Sequence, residues 1–291
     1  MSAFTIKDLE NLSGIKAHTI RMWEQRYNLL KPRRSCTNIR YYSNDELKTL
    51  LNIALLNKYG YKISHIDKMC REEICEKILS LHDMEAMQEM VVNELVQDMV
   101  DLQTDKFERT LGKYICNYGI EKCVLEIIFP FLEKIGILWQ TDNIAPAQKH
   151  FVTNVIRQKL IVAIDQIPCC SEGKSCLLFL PEKEYHELGL LFLNYLLKKQ
   201  GLRVIYLGAN VPVSDMECVV ATMKPELAFV HLGSNFSQAS MEKMITDIKL
   251  RIPTVKTIIS GCPAEGYDRP IPPCIELKCN FREVMDLIST L

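Results

Sequence analysis

Residues 4 to 43 decide how this chain begins to fold, and they read FTIKDLENLSGIKAHTIRMWEQRYNLLKPRRSCTNIRYYS. Apolar residues recur at helical spacing from residue 6 to residue 12, and Ser13-Gly14 breaks that pattern before a second helix begins. A basic loop follows and ends in Arg40-Tyr41-Tyr42. Two short helices, a turn and a basic loop in this order predict a winged helix-turn-helix, a unit that binds duplex DNA.

The predicted second helix and the loop after it carry side chains of the kinds that contact DNA. Between Lys16 and Arg40 the only acidic residue is Glu24, although the whole chain has a formal net charge of -1. A local basic field attracts phosphates, and binding through it should weaken as salt rises. The charge count alone fits a solvated basic loop equally well. The predicted DNA-binding residues are Lys16, His18, Thr19, Arg21, Arg26, Arg33, Arg34, Arg40 and Tyr41.

Composition limits what the rest of the chain can be. The chain has 291 residues, 48% of them hydrophobic, which is enough to bury two or three separate cores. The sequence shows neither a signal-peptide pattern nor an apolar run of membrane-spanning length, so we expect a soluble, cytoplasmic protein. Its twelve cysteines form no CxxC pair and no paired Cys/His spacing, which favours reduced core residues over a metal centre.

The middle of the chain, residues 76 to 168, predicts helices throughout. Apolar residues, many of them methionines, keep helical spacing over residues 84–99, 107–115, 124–138 and 147–164. Four such segments joined by short polar breaks predict a four-helix bundle. Trp139 ends the third segment and His150 lies near the start of the fourth, where a core tryptophan and a helix-start histidine would also be ordinary.

From residue 174 to residue 291 short apolar runs alternate with helical patterns. This alternation predicts a doubly wound parallel sheet of the Rossmann-like kind, whose ligands lie at the carboxyl ends of the strands. Neither GxGxxG nor GxxxxGK[ST] occurs, so dinucleotide and nucleoside triphosphate sites lose support. The predicted strands are 176–180, 203–207, 227–231, 255–260 and 274–277, and the predicted helices are 188–199, 214–223, 237–251 and 281–288. The fold class is therefore multidomain α and α/β, with domains 1–75, 76–168 and 174–291.

The first strand of this sheet leads into Glu184-Tyr185-His186-Glu187-Leu188-Gly189. His186 would lie on a loop above the sheet, with acids beside it that could hold its second ring nitrogen. Gly189 would let the next helix approach closely. A histidine held in this way suits a metal ligand. An ordinary capping or surface histidine fits the same position.

Four segments near the amino terminus, IKDL (6–9), IRMWE (20–24), RYNLLKP (26–32) and RYYS (40–43), closely resemble the DNA-binding head of the MerR family of bacterial transcription regulators. The resemblance covers about the first quarter of the chain. It implies that the helix carrying Trp23 enters the major groove and that the wing, residues 33 to 40, contacts the flanking backbone. Trp23 and Tyr27 then hold that helix in the core instead of contacting bases.

The spacing Glu184-x-His186-x-x-Gly189, followed by YLGANVP (206–212), resembles the cobalamin-binding domain of cobalamin-dependent methyltransferases, mutases and a branch of MerR-type regulators. The resemblance implies that His186 is the lower axial ligand of cobalt and that the nucleotide tail of the cofactor is buried along the sheet. In those regulators a helical bundle covers the upper face of the corrin. The cofactor-binding residues implied in this chain are His186, Glu184, Gly189, Trp139, His150, Ser234 and Gly261, with His186 as the metal ligand.

Four positions depart from the pattern of that family. Lys149 stands where a glutamate is expected, and Ser260-Gly261 where a glycine pair usually lets the tail approach. Ser234-Asn235-Phe236 replaces Ser-x-Leu, and Glu184 stands where aspartate is common. The departures bear on the cofactor site and leave the architecture intact.

The first hypothesis is a sequence-specific transcription regulator, not an enzyme, that binds duplex DNA as a homodimer. A corrinoid held between bundle and sheet, adenosylcobalamin by the resemblance, would control its DNA affinity or oligomeric state, and light could act by cleaving the cobalt-carbon bond. In one alternative the sheet domain no longer binds cobalamin and senses another ligand or only mediates association. In another the chain is a corrinoid-dependent methyl-transfer enzyme. The sequence does not decide whether dimers pair into tetramers, whether the protein contacts RNA polymerase, or whether it activates or represses transcription.

Overall fold

Two short helices, α1 (Ile6–Ser13) and α2 (Ala17–Arg26), open the chain and are joined by a tight turn. Thr5 starts α1 with a capping box, and Gly14 ends it in the left-handed region at φ 71°. The wing follows as two antiparallel strands, β1 (Arg33–Arg34) and β2 (Arg40–Tyr41). The predicted winged helix-turn-helix is present in this segment.

The computed structural model describes residues 4–27, 29–81, 83–140, 144–168, 173–233, 236–261, 264 and 267–291, with the side chains of all of these except 71 and 137–140. It divides into two compact units, Met1–Ile156 and Arg157–Leu291. The three-domain division proposed from the sequence stays a prediction. Among the helices of the described residues, none is long and apolar enough to cross a membrane.

Helices make up the rest of the first unit. The capping box of Ser43 and Glu46 begins the first of them. A π-helical turn (Val124–Ile128) continues one helix into the next. The helices are α3 (Asn44–Lys58), α4 (Ile63–Ile66), α5 (Arg71–Leu79), α6 (Met84–Val100), α7 (Thr104–Tyr118), α8 (Ile120–Cys123), α9 (Phe129–Gln140) and α10 (Pro146–Asp165), which runs on into the second unit.

Four long helical segments form the bundle that the sequence predicts. They are α6, α7, the stretch from α8 through α9, and α10. Phe107 of α7 meets Phe131 and Phe151 edge to face, with ring centroids 5.5 and 5.2 Å apart, so aromatic packing joins α7 to α9 and α10.

A parallel five-stranded sheet forms the second unit. Its strand order is β4-β3-β5-β6-β7, with every neighbouring pair parallel. Phe192 of one helix stacks on Phe281 of another at 5.3 Å on one face, while an apolar cluster around Met216, Met241 and Met244 covers the other. The elements are β3 (Ser175–Pro181), α11 (Leu188–Lys199), β4 (Arg203–Val211), α12 (Val213–Met223), β5 (Leu227–Leu232), α13 (Gln238–Arg251), β6 (Lys256–Gly261), β7 (Ile275–Lys278) and α14 (Phe281–Ile288).

The chain changes direction across the sheet at β3. From β3 it passes to β4 on one side, and then to β5 on the other. The carboxyl ends of β3 and β5 therefore flank a topological switch point, which is where open parallel sheets bind their ligands. The doubly wound sheet is confirmed, and its switch point lies beside the predicted His186 loop.

Candidate corrinoid site and DNA-binding surface

His186 lies on the loop that follows β3, and Glu184 holds one of its ring nitrogens. The Glu184 side chain is 3% exposed and the His186 side chain is 49% exposed. Oε1 of Glu184 lies 2.6 Å from His186 Nδ1 and accepts the backbone N–H of His186 at 2.8 Å. A neutral imidazole with Nδ1–H bonded to this carboxylate has its lone pair on Nε2. His186 thus presents the oriented, basic nitrogen that a metal ligand requires.

Glu184 ties the loop to the neighbouring strand. Burial raises the pKa of Glu184, but hydrogen bonds from the side chain and backbone of His186 and from the backbone of Gly233 outweigh burial and hold this pKa below its ordinary value. Gly233 directly follows β5, so the carboxylate spans the switch point. Asn210 braces the loop from β4, because its N–H donates to Glu184 O at 3.1 Å and its side chain accepts from Lys183 N at 2.9 Å.

Glu187, the other acid of the motif, has different partners. Tyr206 OH donates to Glu187 Oε1 at 2.7 Å, and Arg157 forms an ion pair with Glu187 at 3.6 Å. Burial and the Glu187 carboxylate raise the pKa of Tyr206 above its ordinary range. Of the acids flanking His186 in sequence, Glu184 is the one whose hydrogen bond orients the ring.

A second histidine, His231 near the end of β5, packs against Gly189. A Cβ built on Gly189 would lie 2.2 Å from His231 Cδ2, so only glycine lets α11 approach the sheet here. His231 Nδ1 lies 2.9 Å from Ser260 Oγ, and its ring meets Phe281 edge to face at 5.2 Å. Burial lowers the pKa of His231 to about 4, which leaves the ring neutral near pH 7. Sequence reasoning missed this residue.

Two further sheet-domain residues, Gly261 and Ser234, were predicted at the site, and Ser260 adjoins Gly261. Gly261 has φ 113°, and a Cβ there would lie 2.0 Å from Leu232 O, so its lack of a side chain serves strand pairing. Ser260 is fully buried. Ser234 lies outside the described residues.

The two bundle residues predicted at the site belong to the first unit. Trp139 is on α9, and its side chain lies outside the described set. His150 is exposed near the start of α10, and Lys149 is half-buried. Between α10 and α6, buried Gln148 donates to Met99 O and Val100 O at 3.3 and 2.9 Å.

On the DNA head, α2 has one buried and one exposed face. Ile20 is fully buried and Trp23 is 8% exposed, which supports the prediction that Trp23 is a core residue. The opposite face carries the predicted groove-facing residues. Lys16, His18, Arg21, Arg26, Arg33 and Arg34 are exposed, whereas Thr19 and Tyr41 are half-buried.

Arg40 is the least exposed cation of the predicted set, and its charge is engaged within the protein. Lys16 and Arg34 also form ion pairs, with Glu10 at 3.3 Å and Glu24 at 3.7 Å, but their side chains stay 74% and 46% exposed. Arg40 Nε donates to both carboxylate oxygens of Glu24, at 2.9 and 3.2 Å, and the Arg40 side chain is 20% exposed. Tyr42 OH also donates to Glu24, at 3.4 Å, and burial together with Glu24 raises the pKa of Tyr42 to about 12. Arg40 therefore fastens the wing to α2, and its contact with DNA stays a prediction.

A winged DNA-binding head and an oriented imidazole at a sheet switch point define a ligand-responsive DNA-binding regulator. The imidazole is also chemically suited to cobalt. One ring nitrogen can bind the metal while the carboxylate of Glu184 holds the other.

Comparison with known proteins agrees with this class. Residues 4–73 match the model of the MerR HTH family regulatory proteins, and residues 91–163, in the helical bundle, match that of a B12 binding domain. The HTH-type transcriptional repressor CarH of Myxococcus xanthus is 24% identical over 91% of this chain and 90% of its own length. The repressor CarA of the same organism is 26% identical over 91% of this chain and 89% of its own.

A solved structure shares the fold. The monomethylamine corrinoid protein of Methanosarcina barkeri is similar with a TM-score of 0.54, over 70% of this chain and all of its own, at 13% identity. The matches described above support a MerR-family transcription regulator that carries a B12-binding domain. A regulator that has lost its cobalamin site is the less favoured interpretation.

Proposed function

We propose that this protein represses transcription in response to adenosylcobalamin, which His186 binds through Nε2. The observation that carries the proposal is the Glu184–His186 pair at the sheet switch point of a chain with a DNA-binding head. A bound adenosylcobalamin supplies a light-sensitive cobalt-carbon bond. His186 would supply a nitrogen ligand to its cobalt, and Glu184 fixes the ring that carries this nitrogen. The proposed role is control of transcription and not catalysis.

Contacts within the first unit support coupling between the bundle and the DNA head. Asp101, at the end of α6, accepts from Asn44 Nδ2 at 2.7 Å and also pairs with Lys48, both on α3. Burial raises the pKa of Asp101, but these two partners outweigh it and hold this pKa below its ordinary value. At the other end of α3, Lys58 pairs with Glu89 at 2.5 Å. A shift of α6 therefore acts directly on the helix that supports the head.

We also propose that the protein binds DNA as a homodimer on a pseudo-palindromic site, because two copies of α2 related by a two-fold axis would read two matching half-sites. Assembly into tetramers and contact with RNA polymerase are compatible with this arrangement. The roles of Trp139, His150, Ser234 and Gly261 around the cofactor stay predictions.

The first arm of the test measures whether the protein retains adenosylcobalamin. The protein is expressed with adenosylcobalamin in the dark and freed of excess ligand, and its visible spectrum is compared with those of His186→Ala and of Tyr185→Ala. Tyr185 is the exposed neighbour of His186, so its variant is a matched control. We expect corrinoid absorption in wild type and Tyr185→Ala, and a loss of retained corrinoid in His186→Ala. A wild-type protein that stays colourless both with adenosylcobalamin and with a corrinoid that lacks the nucleotide tail would contradict the site.

The second arm measures DNA affinity in the dark and after illumination. A change in affinity or in oligomeric state upon illumination is expected for wild type and not for His186→Ala. Bound corrinoid whose photolysis leaves both quantities unchanged would contradict light control while retaining the site.

A further inference from the structure

The glycines around the His186 loop are places where a ligand could lie against bare backbone. In this structure the protein fills each of them. The space at Gly208 holds the Glu187 carboxylate, that at Gly233 holds Glu184 and His186, and that at Gly261 holds the backbone of Leu232. Gly189 differs, because a side chain from a separate strand, His231, occupies its space.

His231 is held in that space from several directions. Ser260, itself fully buried on β6, lies within hydrogen-bond distance of the ring at 2.9 Å and of Val230 O at 3.3 Å. Phe281 of α14 packs against the ring edge to face. A side chain fixed by a hydrogen bond and an aromatic contact does not leave its position without free-energy cost.

Cobalamin carries a nucleotide base that occupies the lower position of cobalt when no protein ligand does. If His186 takes that position, the base and its tail must find room in the protein beside the same loop. His231, held in place by Ser260, fills the room next to Gly189.

We infer that His231, held by Ser260, is a specificity-determining residue that disfavours the nucleotide tail, so that the site binds a tail-free corrinoid more readily than cobalamin. The inference rests on the proposed corrinoid site. It assigns His231 no bond to the metal, since His186 is the ligand and His231 acts by occupying space.

The experiment compares cobalamin with cobinamide, the corrinoid that lacks the nucleotide tail. Dissociation constants of both are measured by titration for the full-length wild type, for His231→Ala, which opens the space, and for His231→Phe, which keeps it filled without the hydrogen bond. Cobinamide brings no base of its own, so the change in its visible spectrum upon binding reports ligation by His186.

We expect cobalamin to bind about tenfold more tightly to His231→Ala than to wild type, with cobinamide affinity changed by less than about threefold. His231→Phe should keep the wild-type preference. Ser260→Ala, which retains the ring and loses its anchor, should give an intermediate gain and serves if His231→Ala fails to fold.

The outcomes separate two failures. If neither corrinoid binds wild type, the proposed function itself is wrong. If wild type binds both equally, or if His231→Phe gains as much cobalamin affinity as His231→Ala, the site stands and the inference about His231 is wrong.

Discussion

The wing and the sheet edge are each built around one carboxylate with little exposure, and the two carboxylates leave their partners in different states. Glu24, 12% exposed, binds the guanidinium of Arg40, whereas Glu184, 3% exposed, binds one nitrogen of His186. Arg40 becomes part of the packing between wing and helix. An imidazole has a second nitrogen, so the same kind of bond leaves His186 available. The partner's chemistry, more than its position in a motif, decides whether an anchored residue can still bind a ligand.

The largest expected effect comes from weakening the anchor at the sheet. Glu184→Gln should lower corrinoid affinity by roughly 10- to 100-fold, because a neutral amide orients and polarises the ring less well. Titration of the absorption change measures it. Glu182→Gln, an exposed neighbour on the same loop, should bind as wild type does. Equal corrinoid affinities for Glu184→Gln and wild type would show that the Glu184 carboxylate does not orient or polarise the His186 ring.

Asp98 adds a third case to this comparison, a buried carboxylate that is incompletely paired within the described part of the chain. It is 7% exposed, its Oδ2 has no hydrogen-bond partner among the described residues, and burial raises its pKa to about 6. The folded state therefore holds the proton more tightly than the unfolded state, so stability is lost as pH rises through about 6. Asp98→Asn should raise the free energy of unfolding at pH 8 by roughly 1–3 kcal/mol.

The gain from Asp98→Asn should shrink below pH 6 and disappear below about pH 4, where both states are protonated. Denaturant unfolding at several pH values measures it. Glu133→Gln, which removes an exposed carboxylate from α9 of the same unit, should change stability by less than about 0.5 kcal/mol at every pH. A gain that does not depend on pH would show that ionisation of Asp98 is not the cause.

Arg40→Gln tests the anchored cation of the wing. It should lower the free energy of unfolding by about 1–2 kcal/mol, because Glu24 loses its closer charged partner, keeps only Arg34 at 3.7 Å and remains mostly buried. A double-mutant cycle with Glu24→Gln should return a coupling of about 1 kcal/mol. Additive effects of the two changes would mean that the pair does not hold the wing.

Arg33→Ala should have the smallest effect, and this effect should be on DNA affinity alone and not on stability. Arg33 is exposed on β1, so its loss should weaken binding to all sequences alike and lower the salt slope by about one. Lys113→Ala, an exposed cation of α7, is the control. If folded Arg40→Gln loses as much DNA affinity as Arg33→Ala, then Arg40 contacts phosphate and the contrast between wing and sheet fails.

Much of the fold could be predicted because its signals are local. Helix α11 occupies residues 188–199 as predicted, since an apolar run is bounded by a loop motif and Gly201. Strand β4 was predicted to end at residue 207 but runs to Val211. Gly208 at φ 80° and Asn210 at φ 58° suggest a turn, yet both lie inside the strand, where the pairing with β3 shifts register.

The contacts of the site residues also differ in how far the local sequence predicts them. The Glu184–His186 bond joins residues two apart, so the motif suggests it directly. The Arg40–Glu24 pair joins residues sixteen apart, and nothing in the local sequence distinguishes Arg40 from the other cations of the wing. His231 had no local signal, because a histidine at the end of an apolar strand looks ordinary until α11 brings Gly189 beside it.

The bonds from α3 to Asp101 also bear on the operator. Through these bonds the DNA head packs directly against the bundle. The separation of two heads in a dimer would therefore depend on the rigidity of the helix contacts and not on the length of a flexible linker. Such a dimer would tolerate little variation in half-site spacing. Inserting about five base pairs, half a helical turn, would move the second half-site to the opposite face of the DNA and out of reach.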